Sequence, residues 1–264
     1  MLILLTNDDG ITAPGLVALY HQLSSLGEVH VVAPASAQSA SGHGITLWAP
    51  LLTNRVKVPD AFTGIAVDGS PADCVKLAVA HLLERAPDLV VSGLNAGANV
   101  GINVIYSGTV AAAIEAAFLG LPSVAVSLHL RAETPPDYER AAKLARQTVE
   151  PILAAGLQPG HVANINIPCL EPHQSPAGVK IVRQCTRRWT DTYERRTDPR
   201  GHDYFWNSSV FVLGATDDDT DVAAVRDGYI TITPLQFDLT DHALLRKWNQ
   251  GDWQVKKPVS RPTD

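Results

Sequence analysis

Short unbroken apolar runs alternate with helical patterns through the first two-thirds of the chain. "LILLT" at residues 2–6 gives way to "APGLVALYHQLSSLG", where Leu16, Leu19, Leu23 and Leu26 recur at helical spacing. "EVHVVAP" follows, a β-branched run closed by proline. "PADCVKLAVAHLLERA" predicts a helix with Pro71 in its first turn and Val75, Leu77, Val79, Leu82 and Leu83 mostly inward. "DLVVS", "PSVAVSL" and "VANINIP" read as further strands. Between them lie an alanine-rich helix, "TVAAAIEAAFLG", closed by Gly120, and the longer amphipathic "DYERAAKLARQTVEPILAAG". Strands that are apolar throughout, separated by helices, indicate a mostly parallel sheet covered on both faces, a Rossmann-like doubly wound α/β fold. Such a sheet binds its ligand beyond the carboxyl ends of its strands.

The rhythm changes after Pro168. "KIVRQCTRR" and "SSVFVLG" predict strands flanking the polar, aromatic "WTDTYERRTDPRGHDYFWNSS". "GYITITPL" is an alternating strand, "DLTDHALLRKW" a short helix capped by Asp238 or Thr240, and "KKPVSRPTD" a frayed tail. The expected division is therefore an α/β catalytic domain over residues 1–180. Residues 181–264 form a hairpin and C-terminal region that completes the fold and, being rich in Trp, Tyr and Arg, serves subunit contacts.

Composition narrows the function. The chain has 264 residues, 45% of them apolar and 18% charged, which is ordinary for a globular enzyme-sized protein. A net charge of −6 excludes a surface that coats nucleic acid. Cys74, Cys169 and Cys185 form no C-x-x-C pair, which suits a reducing cytoplasm and speaks against a disulfide framework or a zinc site. "MLILL" turns polar after five positions, so neither a signal peptide nor a membrane span is expected, and the expected location is cytoplasmic.

Four polar clusters fall directly after strands. The first is Asn7-Asp8-Asp9-Gly10: two adjacent carboxylates can meet one ion only where the chain leaves the strand, and Gly10 permits that exit. The alternative is that Asp9 or Thr12 caps the following helix. The second is "PASAQSASGHG", a loop of small residues and hydroxyls with Ser39, Ser41 and His43, which composition alone also allows as a surface loop. The third is "SGLNAGANVG", placing Asn95 and Asn99 among glycines; it matches neither the dinucleotide fingerprint nor a P-loop. The fourth, Ser107-Gly108-Thr109 ahead of the alanine-rich helix, is a helix N-terminus able to bind phosphate, or equally a plain N-cap. The chemistry that uses all four is metal-assisted handling of a phosphate: carboxylates, a hydroxyl and an amide oxygen select a hard divalent cation, Mg²⁺ or Mn²⁺ with Ca²⁺ also fitting, over zinc.

At these residues the sequence resembles the SurE family, metal-dependent nucleotidases known as stationary-phase survival proteins. The stretches that carry the resemblance are "LLTNDDG", "VVAP" with "QSASGHGIT", "VDGSPADCV", "SGLNAGANVG", "YSGTVAAAIEA", "DPRGHDYFWNSS" and "TDVAAVRDGYITITPLQFDLTDH". They run in order from residue 1 to about 242. The resemblance implies a Rossmann-like core with an appended oligomerisation region, one divalent cation per subunit, and phosphomonoesterase activity on nucleoside 5′- and 3′-monophosphates. It also implies a homodimer or homotetramer built through extended hairpins. By position it makes Asp8, Asp9, Ser39 and Asn95 the metal ligands, with Asn95, Asn99 and the Ser107-Gly108-Thr109 turn on the phosphate side. The sequence departs from the family pattern at Ala40 and Ala111, where glycines are common, and at Ile102-Asn103, where acidic residues are common.

The expected reaction is in-line attack of water on phosphorus without a phosphoenzyme. Asp8 or Asp9, with Asp8 the better candidate, takes the water's proton, the amides of residues 108 and 109 bind the equatorial oxygens, and His43 is a candidate acid for the leaving alkoxide. One rival is an aspartyl-phosphate phosphatase, which would place its second Asp two positions on rather than adjacent. A nucleotide sensor that binds without turnover is the other.

Overall fold

The computed structural model describes residues 1–188, 192–207, 213, 216–251 and 253. β1 (Leu2–Thr6), every residue of it buried, is followed by α1 (Pro14–Leu23) and β2 (Glu28–Pro34). An antiparallel pair comes next, β3 (Thr53–Lys57) and β4 (Thr63–Val67), then α2 (Pro71–Leu77). β5 (Leu89–Ala96), the single turn α3 (Asn103–Tyr106), α4 (Gly108–Phe118), β6 (Ser123–Leu128), α5 (Tyr138–Ala154) and β7 (Val162–Ile167) complete the α/β alternation. Beyond it lie β8 (Val179–Ile181), the hairpin of β9 (Tyr193–Thr197) and β10 (Asp203–Asn207), α6 (Asp221–Arg226), β11 (Ile230–Leu235) and α7 (His242–Trp248).

Nine strands make one sheet in the order β3-β4-β2-β1-β5-β6-β7-β11-β8. From β4 to β7 neighbouring strands run parallel, as the continuous apolar runs require; β3 and β11 are antiparallel to their inner neighbours β4 and β7. α1 and α5 cover one face with Leu16, Leu19, Leu23, Ala142, Ala145 and Val149 over Ile3, Leu5, Val91, Val124 and Ile165. On the other face, Cys74, Val75 and Ala78 pack with Ala112 and Ala116 over Leu4, Val32, Val67 and Val90. The small side chains of α4 let it lie close on the sheet, which brings its N-terminus to the strand ends. From β1 the chain moves outward to β2 on one side and later to β5 and β6 on the other. The order reverses between β1 and β5, and that is where a doubly wound sheet opens its crevice.

Several expectations change. The 71–86 helix stops earlier: after α2 a π-turn over Ala78–Leu82 closes with the Leu83 amide on the Ala78 carbonyl, and Leu83 is already extended. Asp241, not Asp238 or Thr240, caps α7; Asp238 instead accepts the Thr240 amide and pairs with His242. Of "KIVRQCTRR" only Lys180 and Ile181 are strand, as the end of β8, and "SSVFVLG" and the tail lie outside the described residues except Leu213. β3, β4 and α6 carry no expectation from the pattern: each is only five or six residues long, and β3 is largely exposed.

α6 ties the C-terminal part of the chain to the loop after β5. Asp221, fully buried at its start, accepts the amides of Gly101 (2.9 Å), Cys185 (2.8 Å) and Val222 (2.8 Å). Burial pushes its carboxyl above the ordinary range against those three hydrogen bonds. Asp221→Asn keeps the shape but turns an NH₂ toward one of the amides. Urea unfolding is expected to show a loss of about 2–3 kcal/mol, the penalty for buried donors left without an acceptor.

Candidate active site

β1 delivers Asp8 and Asp9 to the crevice. Gly10, at φ +96°, turns the chain with its Cα face against the Ser36–Ala37 backbone, and Asn7 Nδ2 donates to the Gly10 carbonyl at 2.9 Å. The capping alternative for Asp9 and Thr12 does not hold: the cap position of α1 is Ala13, with no side-chain cap, and Pro14 follows it. Asp9 is directed elsewhere. Its Oδ2 accepts the Ala96 amide at 2.9 Å, beside Asn95 at the end of β5.

A second tie acts from the other side. The Gln38 amide donates to the Asp8 carbonyl at 2.7 Å and fixes the loop after β2 one residue before Ser39. The first sets Asp9 against the end of β5, where Asn95 stands, and the second sets the loop that carries Ser39 against Asp8, both at the carboxyl ends of central strands. Asn95 spends its Nδ2 on the Gly97 carbonyl (2.7 Å), leaving its Oδ1 without a partner among the described residues, and Ser39 is exposed on its loop. The set offers two carboxylates, a hydroxyl and an amide oxygen. No three His, Cys, Asp or Glu converge among the described residues; the donors offered here, carboxylate, hydroxyl and amide oxygen, are of the chemistry that a hard divalent cation takes.

Asp8 is held from above by the start of α4. Thr109, with no exposed surface, donates its Oγ1 hydroxyl to Asp8 Oδ1 and its amide to Asp8 Oδ2 at 3.2 Å. Burial raises the Asp8 carboxyl above its ordinary range and the charge of Asp9 adds to the rise, both outweighing the Thr109 hydrogen bonds. A buried carboxylate pressed by a like charge is what a divalent cation relieves.

The phosphate-side residues divide. The Ser107 hydroxyl caps α4 by accepting the Val110 amide at 3.0 Å, so the plain N-cap reading applies to its side chain. The Thr109 amide is committed to Asp8 and is not free for an equatorial oxygen, which corrects the expectation that residues 108 and 109 act as a pair. Gly108 remains at the helix N-terminus, so close to its neighbours that a Cβ would lie 2.8 Å from Ser41 Oγ and 2.9 Å from Asp8 Cβ. Asn99 is buried in the sheet network: its Nδ2 donates to Ser127 Oγ, its amide to Asn166 Oδ1, and its carbonyl accepts from Asn164 and Asn166. It shapes the loop after β5 rather than presenting its amide nitrogen to the crevice. His43 is exposed on its loop but paired. Its Nε2 lies 2.7 Å from Glu115 Oε2, and Lys76 Nζ donates to Glu115 Oε1 at 3.1 Å. Glu115 is a buried, paired carboxylate that the sequence pattern does not mark, because one acidic residue in an alanine-rich helix looks like a solvated position. The signal available is its setting among apolar neighbours: it is 5% exposed, and the His43 hydrogen bond, with Lys76 behind it, holds its carboxyl below the ordinary range against burial.

The sheet with its switch point between β1 and β5, and the paired carboxylates set there, define an α/β protein with an acidic crevice of the kind that handles a cation and an anion together. The chain belongs to the SurE family: the family model described as "Survival protein SurE" matches residues 3–191. It is 46% identical over 252 residues to 5′-nucleotidase SurE of Syntrophobacter fumaroxidans, covering 94% of this chain and all of that protein. It is 48% identical over 250 residues to the protein of the same name from Nitratidesulfovibrio vulgaris, covering 94% and 98%. The crystal structure of the SurE protein from Aquifex aeolicus superposes with a TM-score of 0.82 at 37% identity, covering 95% of this chain and 99% of that one. Among the described residues no helix is long and apolar enough to cross a membrane.

Proposed function

We propose that the protein is a metal-dependent 5′-nucleotidase that hydrolyses nucleoside 5′- and 3′-monophosphates to nucleoside and inorganic phosphate. Membership of a family whose curated relatives are named 5′-nucleotidase makes it an enzyme of this kind, a phosphomonoesterase. The observation that supports this reading is the pair of ties, Gln38 amide to Asp8 carbonyl and Ala96 amide to Asp9, which set the loop of Ser39 against Asp8 and the strand end of Asn95 against Asp9. These four residues would hold one Mg²⁺ or Mn²⁺. Such a cation supplies positive charge to the phosphate oxygens as the phosphoryl group transfers.

The chain's own groups do the rest. Asp8, whose pKa is raised by burial, accepts a proton from the attacking water, and Thr109 fixes the direction of its carboxylate. The Gly108 amide at the helix N-terminus faces the developing charge on the phosphate oxygens. Exposed Tyr193, Tyr204, Phe205 and Trp206 on the β9–β10 hairpin support self-association, as dimer or tetramer, through that arm. The direct test is steady release of inorganic phosphate from a panel of 5′- and 3′-monophosphates with Mn²⁺ or Mg²⁺. Turnover without trapped phosphoenzyme is expected, and binding of nucleotide and cation without release would make the protein a sensor instead.

A further inference from the structure

The leaving oxygen of a nucleoside monophosphate is a ribose alkoxide, strongly basic, and it must receive a proton as the P–O bond breaks. We propose that His43 donates that proton and that Glu115 is the residue that positions it, so that the Lys76–Glu115–His43 chain is part of the catalytic apparatus rather than a surface ion pair. This rests on the nucleotidase reading above and extends it to the leaving-group side.

Three observations carry it. First, the loop bearing His43 is stitched across the start of α4 at several points. Its Gln38 amide is on Asp8, its Gly42 amide is on the Tyr106 carbonyl at 3.0 Å, and Thr46 donates through both its amide and its hydroxyl to Asp73. Ser41 Oγ lies against Gly108, so His43 stands two residues from the atom that touches the phosphate-side turn. Second, Glu115 is buried while His43 keeps 39% of its side chain exposed: the carboxylate is anchored in the fold and the ring it holds stays accessible to a solute. Third, one ring nitrogen is spoken for and the other is not. Nε2 is on Glu115, and Nδ1 has no hydrogen-bond partner among the described residues. A carboxylate on one nitrogen fixes the tautomer and ring orientation and presents the other nitrogen to a reactant, the logic of carboxylate–histidine dyads in hydrolases. Lys76 on α2 balances the charge of Glu115 from its other oxygen.

In the transfer step, the water oxygen forms a bond to phosphorus as its proton passes to Asp8. The bond from phosphorus to the ribose oxygen breaks, that oxygen keeps the electron pair, and it takes a proton from Nδ1 of the His43 imidazolium. Neutral His43 and protonated Asp8 then exchange with solvent to restore the starting state.

The experiment compares two substrates in the full-length, Mn²⁺-loaded protein: a nucleoside 5′-monophosphate, whose leaving group needs the proton, and p-nitrophenyl phosphate, whose leaving group is weakly basic and does not. His43→Gln is expected to lower kcat on the nucleotide by about 10²-fold or more, the usual worth of a general acid, with a loss on p-nitrophenyl phosphate at least about tenfold smaller. Glu115→Gln, close in shape, is expected to follow the same substrate-selective pattern at about a tenth of the size, with KM little moved. Equal losses on both substrates would mean that the chain merely fastens the loop, and unchanged nucleotide turnover in His43→Gln would dismiss the acid role; either overturns the proposal while leaving the nucleotidase reading standing. A wild-type protein that releases phosphate from neither substrate would remove both.

Discussion

Asp9→Asn is expected to reduce phosphate release from a nucleoside 5′-monophosphate by about 10³-fold or more, because it removes one of the two negative charges that make the crevice a cation site, an electrostatic loss of several kcal/mol in the transition state. The variant keeps an oxygen for the Ala96 amide, so the tie between the loops after β1 and β5 survives. In the absence of metal its folding stability should not fall and should rise by about 1 kcal/mol, since the repulsion between Asp9 and buried Asp8 is gone. Asp8→Asn should be equally inactive for an added reason: its amide cannot take the water's proton, and its NH₂ meets either the Thr109 hydroxyl or the Thr109 amide. Phosphate release and urea unfolding measured side by side separate a functional carboxylate from a structural one. A structural role would lower both quantities together.

Gly108→Ala is the second large effect, and it reaches the chemistry through packing. A Cβ there would lie 2.8 Å from Ser41 Oγ, 2.9 Å from Asp8 Cβ and 3.0 Å from Pro71 Cγ, so three elements must move to admit one methyl group. The hydroxyl of Ser41 can rotate away; the Asp8 stem and the Pro71 ring cannot. The start of α4 therefore shifts from Asp8, and a misplacement of that order is expected to lower kcat/KM by about 10²-fold. Overpacking should cost about 1–3 kcal/mol of stability, partly offset by the better helix propensity of alanine. Restored activity in Gly108→Ala combined with Pro71→Ala would be the signature of this steric route, readable in the same phosphate assay.

β1 and the runs Leu89–Val91 of β5 and Val124–Val126 of β6 are buried and apolar at consecutive positions, which a sheet covered on both faces demands, so the doubly wound fold is legible there; β7 is buried too but interrupts its run with Asn164 and Asn166. Asp8 and Asp9 stand out because an adjacent acidic pair at the end of such a run has no packing explanation. β3 and β4 do not stand out: Thr53–Lys57 is largely exposed on the sheet's edge and leaves little hydrophobic period to read, and β4, though mostly buried, is five residues long and opens on Thr63-Gly64. Nor can spacing show that Thr109 turns both its donors to Asp8 while Ser107 takes the cap. Either hydroxyl is an equally good cap in sequence, and the choice goes with the close approach of Gly108 to Asp8 at the carboxyl end of β1, which sets Thr109 within reach of the carboxylate. Asn99 and Asp221 belong to the same class. Both are polar residues whose partners, Ser127, Asn164 and Asn166 for one and Gly101 and Cys185 for the other, lie too far along the chain for any local pattern to join them.

The site's central claim is that Asp8 and Asp9 hold a divalent cation on which hydrolysis depends. It is tested most directly by stripping the full-length protein with a chelator and titrating Mn²⁺ back, with bound metal and phosphate release followed in the same samples. One Mn²⁺ per chain, activity that returns in proportion to occupancy, and loss of both in the doubly substituted Asp8→Asn, Asp9→Asn protein are the predicted result. Full turnover in excess chelator, or undiminished Mn²⁺ binding by the doubly substituted protein, would contradict it.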